Sequence, residues 1–351
     1  MSIPSDSFQK RVLDWFDQHG RKDLPWQQAI NPYRVWVSEI MLQQTQVSSV
    51  IAYYHRFMER FPSLEDLARA EQDEVLQYWS GLGYYARARN LHQTARLIMQ
   101  NGGAFPQSSA ALEALPGIGR STAGAILSIA CGQSQAILDG NVKRVLSRFA
   151  AVEGWPGDPK VAKQLWQISE QLTPSDRTAA YTQAMMDLGA TVCTRSRPRC
   201  HECPLQPHCQ AFQQNRVSQL PQSRPKKNHP VKQVMFALCM NAQQQILLIR
   251  RPPSGIWGGL WSLPEYADRQ ALQTDLQLNY RDWTVLKTWD VQRHTFSHFH
   301  LDYTVLLVKV QNPINNVMEA EHRVWYKKQQ WPDLGLPAPI KRLLQQLESE
   351  V

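Results

Sequence analysis

The sequence lacks any segment suited to secretion or to crossing a membrane. Its first ten residues, MSIPSDSFQK, contain no apolar stretch of the kind that a secretion signal requires. The longest apolar runs, such as AGAILSIACG at 123–132, fall well short of the roughly 20 residues that span a bilayer. These absences exclude an obvious membrane or secreted class and predict a soluble, cytoplasmic protein without membrane contacts.

Cysteine is scarce outside one short stretch. The chain of 351 residues has six cysteines, and four of them lie in CTRSRPRCHECPLQPHC at 193–209. Because disulfides are rare in the cytoplasm, the clustered thiols are better explained as metal ligands.

Acidic residues are outnumbered as well, 30 Asp and Glu against 38 Lys and Arg, which gives a net charge of +8. The imbalance is largest at 193–232, where eight basic residues accompany one acid, Glu202. Such a charge suggests a polyanionic partner, with nucleic acid the first candidate. A generally basic surface is the alternative at this point.

The hydrophobic period changes along the chain. Residues 1–210 consist of segments with helical periodicity closed by Gly, Pro or polar breaks, and the longest continuous pattern covers 35–61. Residues 211–232 are rich in Gln, Pro and Lys and have the composition of a linker. Residues 233–351 contain the predicted strands VMFALCM, QILLIR and HLDYTVLLVKV and a closing helix, APIKRLLQQLESE. The length and these changes predict a mainly α region, a linker and a separate α+β domain.

The four clustered cysteines have the spacing Cys-x6-Cys-x2-Cys-x5-Cys. Four-cysteine zinc sites usually consist of two Cys-x-x-Cys pairs, and only one pair here has that spacing. A cubane iron–sulfur cluster bound by four thiolates fits the spacing better, and zinc remains the alternative. The four candidate ligands are Cys193, Cys200, Cys203 and Cys209.

Three arginines, Arg195, Arg197 and Arg199, separate the first two of these cysteines. In a loop tied by metal ligation, guanidinium groups can bind phosphate at a reduced entropic cost. The cluster would then shape a binding loop and take no part in the reaction. Alternatively, the arginines only offset the negative charge of the thiolates.

A glycine turn precedes a helix in LPGIGRSTAGAIL at 115–127, where Gly117 and Gly119 allow a partner to approach the backbone closely. Leu-Pro-Gly-x-Gly between two helices is the helix–hairpin–helix pattern, which binds DNA backbone without reading sequence. A plain interhelical turn is the alternative. Asp139 follows in ILDGNVKRVLSRF, and by itself it would be read as a helix N-cap.

These motifs together resemble the helix–hairpin–helix DNA glycosylase superfamily with an iron–sulfur loop, of which endonuclease III is the best-known member. The segments LPWQ, VWVSEIMLQQTQV, WSGLGYYARARNLH, MMDLGATVCTRSRPRC, RPPSGIWGGLW and RHTFSHFHLD resemble the adenine DNA glycosylases in particular. The likeness covers almost the whole chain. It implies a mainly α N-terminal helix–hairpin–helix glycosylase with an iron–sulfur loop, followed by an α+β Nudix-like C-terminal domain.

The resemblance also implies a cofactor, a partner and a reaction. It implies one [4Fe-4S] cluster and a monomer that binds double-stranded DNA containing A:8-oxoG or A:G mispairs, in the bacterial cytosol and on the nucleoid. The expected activity is base excision repair by hydrolysis of the N-glycosidic bond of the mispaired adenine. An endonuclease III-like pyrimidine glycosylase with lyase activity and a non-catalytic mismatch-binding protein are the rival interpretations.

Catalytic roles follow from the resemblance, position by position. Asp139 matches the catalytic aspartate that stabilises positive charge on the deoxyribose, and Asn141 matches a polar residue that assists it. Glu39 matches the general acid, and its apolar flanks would raise its pKa and keep it protonated, although an exposed helix-start glutamate is the alternative. Ser121 stands where lyase relatives carry the lysine that forms a Schiff base, which implies a glycosylase without lyase activity.

Contacts with DNA are implied for a further set of residues. Tyr84 matches a tyrosine that wedges beside the lesion, and its alternative is a core aromatic. Gln43 and Gln44 match residues at the opened duplex. The positions that match the surroundings of the adenine are Leu24, Trp26 and Gln183.

The C-terminal domain resembles a Nudix domain at RPPSGIWGGLWSLPE, 251–265, but the glutamate set that holds magnesium in Nudix hydrolases does not follow it. The resemblance therefore implies a recognition module in which Phe296, Ser297 and His298 face 8-oxoguanine. A histidine-rich metal site in HTFSHFH is the alternative, although no fixed ligand spacing supports it.

Overall fold

The computed structural model of the chain describes residues 4–225, 229–253, 255–296, 298–314 and 323–350. They divide into two compact units. The first unit contains residues 4–69 and 90–225, and the second contains 70–89 together with the described residues from 229 onward. None of the helices in this part of the chain is both long and apolar enough to cross a membrane.

The first unit is helical, as the periodicity predicts. Its helices are α1 Ser5–His19, α2 Pro32–Leu42, α3 Val47–Arg60, α4 Leu64–Arg69, most of α6 Ala86–Gln100, α7 Ser109–Glu113, α8 Arg120–Cys131, α9 Gly140–Phe149, α10 Pro159–Leu172, α11 Thr178–Asp187 and α12 Gln210–Gln213. The intervening helix, α5 Gln72–Tyr78, belongs to the second unit. Short helical turns occupy Pro25–Gln27, Cys200–Glu202 and Gln206–His208, and a π-helical turn occupies Leu188–Val192.

The continuous helical pattern at 35–61 forms two helices, not one. Asn31 begins α2 by accepting a hydrogen bond from the Arg34 N–H at 2.9 Å, with Pro32 at the first helical position. The helix ends at Leu42, and Gln44 adopts a left-handed conformation with φ of +57°. A right-handed helix requires negative φ values, so the helix cannot continue through Gln44. The buried apolar residues of α3 continue the sequence spacing of those in α2, so hydrophobic spacing does not reveal this break.

The core of the first unit lies among α1, α9, α10 and α11. Phe8 and Phe149 meet edge to face with ring centroids 4.7 Å apart, and both are almost fully buried. Leu165 of α10 and Ala184 of α11 belong to the same core, and neither has exposed surface. The helix that starts immediately after Asp139 is thereby fixed on its apolar side, which leaves its N-terminus as a defined point in space.

The second unit contains a mixed sheet of the strands β1 Val231–Met240, β2 Ile246–Arg250, β3 Trp261–Ser262, β4 Glu265–Tyr266, β5 Tyr280–Thr288, β6 Gln292–Thr295, β7 His300–Pro313 and β8 Arg323–Tyr326. The central order is β3-β2-β1-β7-β5, with β4 paired to β1, β6 to β7 and β8 to β2. β1 and β7 run parallel, and the other pairs are antiparallel.

Helices cover both faces of this sheet. α14, Ala338–Glu350, packs Ile340 and Leu344 against one face, and α13, Arg269–Asn279, packs Leu272 and Leu276 against the other. The predicted hairpin is confirmed, since Met240 of β1 pairs with Ile246 of β2. The predicted strand HLDYTVLLVKV lies within β7, and the predicted closing helix is α14. The same unit also holds α5, Gln72–Tyr78.

Candidate active site and cysteine loop

A cavity of about 910 Å³ opens within the first unit, in the upper part of the range usual for ligand sites. It collects side chains from the turns at Pro25–Gln27 and Leu188–Val192 and from α2, α8, α9 and α11, which are distant in sequence. Ten of the residues singled out by the sequence line it: Leu24, Trp26, Glu39, Gln43, Gln44, Ser121, Asp139, Asn141, Gln183 and Arg195. The two carboxyl groups therefore face one shared space.

Glu39 lies on α2 among buried apolar residues. Trp36 has no exposed surface, and Val35 and Ile40 are each 3% exposed. Burial raises the pKa of Glu39 to about 8, and the carboxyl of Asp139 adds to the rise. The side chain is therefore protonated at neutral pH, which is the form a general acid needs.

Asp139 is the N-cap of α9, so both of its predicted roles fall on one side chain. Its Oδ1 accepts from the backbone N–H of Asn141 at 3.1 Å and of Val142 at 2.8 Å, and its Oδ2 accepts from Asn141 Nδ2 at 3.1 Å. Burial raises the pKa of Asp139, while these three N–H groups and the charge of Arg144 act in the opposite direction. Of the two carboxyls, this is the one with N–H donors and a nearby cation that act in favour of the ionised form.

Arg144 connects this site to the cysteine loop and was not singled out by the sequence. Its Nη2 donates to Asn141 Oδ1 at 2.8 Å and to Gly189 O at 2.6 Å, and its Nε donates to Cys193 O at 2.6 Å. Gly189 has no room for a side chain, because a Cβ would lie 2.5 Å from Asn141 Cβ. The i, i+3 spacing of Asn141 and Arg144 on one helix face is the signal that could have found this residue.

Ser121 supports the backbone just before the aspartate. Its Oγ accepts a hydrogen bond from the Leu138 N–H at 3.0 Å. In the same helix, Gly124 allows the chain at 136 to pass closely, since a Cβ would lie 2.4 Å from Ala136 O. The hydroxyl thus has a structural task at a position where an amine would face the cavity.

Gln183 has its amide held by a buried carboxylate. Its Nε2 donates to Asp187 Oδ1 at 2.9 Å, and Asp187 has no exposed surface. Arg21 completes the group by donating to the same carboxylate through its backbone N–H at 2.8 Å and its Nη2 at 2.6 Å. With Nε2 engaged, Oε1 is the Gln183 atom left to accept a hydrogen bond in the cavity. Arg21 and Asp187 are 166 positions apart, so no local pattern in the sequence indicates their contact.

The wall beside this group is apolar. Leu24 is 7% exposed and Trp26 is 6% exposed, and the Trp26 ring meets Tyr54 edge to face at 5.5 Å. Both come from the turn at Pro25–Gln27 and its N-terminal neighbour. The residues of the break between α2 and α3, Gln43 and Gln44 among them, line the same cavity from another side. The cavity thus offers an apolar, aromatic wall for a flat base and amides around it.

The glycine turn has the backbone geometry that its residues predict. Gly117 has a φ of +78°, and a Cβ there would lie 2.8 Å from Asn90 Cβ, so both conformation and space require glycine. Thr94 Oγ1 donates to Pro116 O at 2.9 Å and fixes the turn from α6. Gly119 is the N-cap of α8 and has open space around the position of a Cβ. The exposed N-terminus of α8 can therefore receive a phosphate.

The four clustered cysteines line a second, largely apolar cavity together with Arg148. Arg148 Nη1 lies 3.3 Å from Cys193 Sγ, and Arg148 also donates to Thr194 O at 2.7 Å. Burial raises the pKa of the Cys203 thiol to about 12, and the neighbouring thiols add to this. A set of buried thiolates needs a cationic centre to neutralise it, so the donor chemistry fits a metal cluster.

Among the described residues, no three His, Cys, Asp or Glu side chains converge so as to hold a metal ion.

The three arginines of the cysteine loop have different surroundings. Arg195 is exposed and lines the cavity of Glu39 and Asp139. Arg199 is bound within its own loop, since its Nη2 donates to Thr191 O at 2.8 Å and its Nη1 pairs with Glu202 at 2.8 Å. Arg197 is exposed. Arg195 and Arg197 are thus better placed than Arg199 to meet a phosphate.

The remaining predicted residues lie in the second unit. Tyr84 is 53% exposed, so the alternative of a core aromatic is wrong. Phe296 stacks on Phe299 at 4.6 Å, and the His298 ring is 6.4 Å from Phe296. Ser297 lies outside the described residues.

Comparison with known proteins first gives the class. Residues 37–171 match the HhH-GPD superfamily of base excision DNA repair proteins, and residues 235–346 match the NUDIX domain. A thermostable thymine-DNA glycosylase of known structure is 26% identical with a TM-score of 0.53, and the match covers 60% of this chain and 97% of that one. The fold class predicted from the sequence is confirmed.

Two full-length relatives narrow the class. The adenine DNA glycosylase of Buchnera aphidicola subsp. Baizongia pistaciae (strain Bp) is 36% identical, over 97% of this chain and 97% of its own length. The adenine DNA glycosylase of Homo sapiens is 36% identical, over 96% of this chain and 73% of its own length. The chain belongs to the adenine DNA glycosylase family.

Proposed function

We propose that this protein removes adenine mispaired with 8-oxoguanine or guanine by hydrolysing its N-glycosidic bond. The observation that carries the proposal is the shared cavity in which one carboxyl is kept protonated and the other is supplied with N–H donors. An acid and a charge stabiliser on the same cavity match the needs of glycosidic bond cleavage. Membership of the adenine DNA glycosylase family supports adenine as the base.

Four residues of the cavity have tasks in this reaction. Glu39 donates its proton to the adenine ring, which makes the base a better leaving group. Asp139 stabilises the positive charge that grows on the deoxyribose, with Asn141 holding its carboxylate. Gln183 Oε1 is available to the amino group of adenine. Water then completes the hydrolysis, because Ser121 has no amine with which to attack the sugar.

A base-release assay tests this function directly. We expect the purified protein to release adenine from a duplex with adenine opposite 8-oxoguanine, and to cut the strand only after alkali treatment. Borohydride should trap little covalent complex with the native protein and more with Ser121→Lys, since an amine would then be present. Release of a damaged pyrimidine with strand cutting would favour the endonuclease III-like rival. Binding of the mispair without base release would favour the non-catalytic rival.

We further propose that Cys193, Cys200, Cys203 and Cys209 hold one [4Fe-4S] cluster. When bound, the cluster would close the loop 193–209 and leave the arginines displayed toward DNA. About four irons per chain and broad visible absorption are expected. Cys203→Ser should lower the iron content, whereas Cys131→Ser, which changes a cysteine outside the loop, should not. A colourless protein with one zinc per chain would contradict the cluster.

The Nudix-like unit is proposed to read the base opposite adenine through Phe296, Ser297 and His298. We also propose that 211–232 joins a glycosylase region, 1–210, to this module, 233–351. In the full chain, Ser297→Ala with His298→Ala should reduce the preference for 8-oxoguanine over guanine in binding. Hydrogen-bond readout of this kind is worth roughly 1–3 kcal/mol, or about 5- to 150-fold in affinity. An unchanged preference would remove the recognition role from this loop.

A further inference from the structure

Residues 70–89 form one compact unit with the Nudix-like domain, although they fall inside the stretch that matches the HhH-GPD superfamily. This segment contains α5 and the turn 79–85, here named the Tyr84 turn. By sequence this segment belongs to the HhH-GPD match, whereas by its contacts it belongs to the unit of the Nudix-like domain.

The Tyr84 turn has an unfavourable backbone conformation. Tyr84 has a φ of +51°, and Gly81 and Gly83 have φ of +99° and +78°. A bulky residue in the left-handed region is costly and persists only where its surroundings hold it. Part of the support is local, since Trp79 Nε1 and Arg87 Nη2 each donate to Gly83 O at 3.1 Å.

A second turn with the same kind of strain lies in the Nudix-like domain, at residues 255–259, here named the Trp257 turn. Trp257 has a φ of +53°, between Gly255 at +89° and Gly259 at +74°. Gly258 is confined, because a Cβ would lie 2.5 Å from Pro253 O. Each turn thus presents an aromatic residue from a left-handed backbone.

Arg89 connects the two turns. Its Nη1 donates to Gly258 O at 2.5 Å. Its Cδ would lie 3.5 Å from a Cβ at Gly259, and Gln72 Nε2 would lie 3.3 Å from the same point. A guanidinium hydrogen bond of this length is charge-assisted and stronger than a neutral one. The backbone of the Trp257 turn is therefore fixed to the first turn of α6, four residues after the Tyr84 turn ends.

Two further polar contacts fix the same segment. Arg250 Nη2 lies 2.5 Å from Asp73 Oδ1, which ties β2 to α5. Tyr85 Oη donates to Leu336 O at 3.3 Å, and the neighbouring Gly335 lets Leu76 approach so closely that a Cβ there would lie 3.3 Å from Leu76 Cβ. The Nudix-like domain thus contacts this segment in α5 before the Tyr84 turn, at Tyr85 within the turn, and at Arg89 after it.

We propose that the Nudix-like domain positions Tyr84, with Arg89 and the Asp73–Arg250 ion pair as the positioning residues. The Tyr84 and Trp257 turns are then already fixed to each other when they contact a mispaired duplex. The conformational entropy of the Tyr84 turn is therefore lost on folding and not on DNA binding. The inference rests on the proposed function, because the resemblance implies the wedge role of Tyr84 only for an enzyme that acts on a mispaired duplex. The Nudix-like domain accordingly contributes to mispair binding in two ways, by its own contacts and by setting Tyr84.

Amide hydrogen exchange of the full chain without DNA tests the positioning itself. Asp73→Ala with Arg89→Ala should raise exchange at 80–86 by about tenfold, the change expected when charge-assisted hydrogen bonds are lost. Amides of α8 should keep their native rates. Asp73→Arg and Arg250→Asp should each raise exchange at 80–86 when made alone. Together they restore an ion pair of reversed polarity and should therefore restore slow exchange.

A matched control is Asp17→Ala, which removes the exposed ion pair of Asp17 with Arg177, at 2.5 Å, in the first unit. It should leave exchange at 80–86 unchanged. Native rates at 80–86 in the double variant of Asp73 and Arg89 would overturn the proposal. This readout needs neither DNA nor activity, so it decides the positioning even if the proposed function fails.

Duplex binding tests whether Arg89 acts through Tyr84. In an Asp139→Asn background, Arg89→Ala should weaken binding to a duplex with adenine opposite 8-oxoguanine by about tenfold. In a background that also carries Tyr84→Ala, Arg89→Ala should cause no further loss. Equal losses in both backgrounds would mean that Arg89 contacts DNA independently, and would overturn the positioning role. Absence of any mispair binding by the native chain would instead reject the proposed function.

Discussion

Glu39 and Asp139 line the same cavity, but the chain surrounds them differently. Glu39 lies in mid-helix among buried Val35, Trp36 and Ile40, and its pKa is raised to about 8. Asp139 lies at a helix N-terminus and accepts three hydrogen bonds from N–H groups. Burial raises the pKa of both carboxyls, but Asp139 has N–H donors that act against the rise. We infer that backbone position, more than residue type, separates the proposed acid from the proposed charge stabiliser.

The largest expected effect comes from removing the charge of Asp139. Asp139→Asn should slow adenine release by about a thousandfold or more, because the growing charge on the sugar loses its counterion. Binding to the mispair should persist, and Asn can still cap α9. Single-turnover kinetics and a binding titration measure the two properties separately.

The control for this change is Asp158→Asn. Asp158 caps α10 with the same geometry, accepting from Lys160 N at 2.8 Å and Val161 N at 3.4 Å, but it does not line the cavity. Its substitution should leave adenine release near the native rate. Native release by Asp139→Asn would place the charge stabiliser elsewhere and break the comparison.

Removing the acid should have a smaller effect. Glu39→Gln should slow release by about a hundredfold or more, within the range usual for general acid catalysis. In the native enzyme the protonated form is the active one, so release should fall as the pH rises through about 8. The pH profile of single-turnover rates checks this, and a native rate that stays level from pH 7 to 9 would contradict the assignment.

The raised pKa of Glu39 also predicts a dependence of stability on pH. Between about 4.5 and 8, the folded chain holds a proton on Glu39 that the unfolded chain releases, so native stability falls as pH rises in this window. The slope from one such group is at most about 1.4 kcal/mol per pH unit. Glu39→Gln should therefore gain thermal stability relative to the native protein as pH rises, and the gain should level off above about 8.

Thermal midpoints of both proteins across this pH range provide the measurement. Glu59→Gln, which removes an exposed carboxyl from α3, is the matched control and should show no growing gain. A constant difference between native and Glu39→Gln proteins would mean that Glu39 ionises as easily in the folded state as in the unfolded state.

The smallest effect is expected at Ser121. Ser121→Ala leaves the Leu138 N–H without its acceptor, which should cost about 1 kcal/mol of stability. Because Leu138 precedes Asp139, release should slow by only a few fold. A loss as large as that of Asp139→Asn would show that the hydroxyl acts in the chemistry, and the monofunctional mechanism would need revision.

The sequence predicts the members of this site better than their arrangement. The fold class, the hairpin of β1 and β2, and helix α14 follow from hydrophobic period and turn residues, which are local properties. The break at Gln43 and Gln44 could not be predicted, because apolar spacing continues through it. Arg21 and Asp187 were missed for a different reason, since their contact joins positions 166 apart.

Packing of the segment 70–89 shows the same limit on a larger scale. Its sequence resembles the glycosylase region, and its contacts lie in the Nudix-like unit. Partners such as Asp73 and Arg250 are set by tertiary approach, which no periodicity encodes. The pKa of Glu39 was predictable in direction from its apolar neighbours, whereas the N–H donors around Asp139 required the cap geometry.

Asp139 caps α9, and with the charge-stabilising role proposed for it, one side chain would serve two purposes at this position. Most replacements would remove the cap of α9 and the reactive carboxylate together, so folding and activity would be lost in a single step. Asparagine and serine would preserve the cap while removing the charge, and glutamate would preserve the charge but lengthen the side chain. Only a few replacements can therefore separate the two properties.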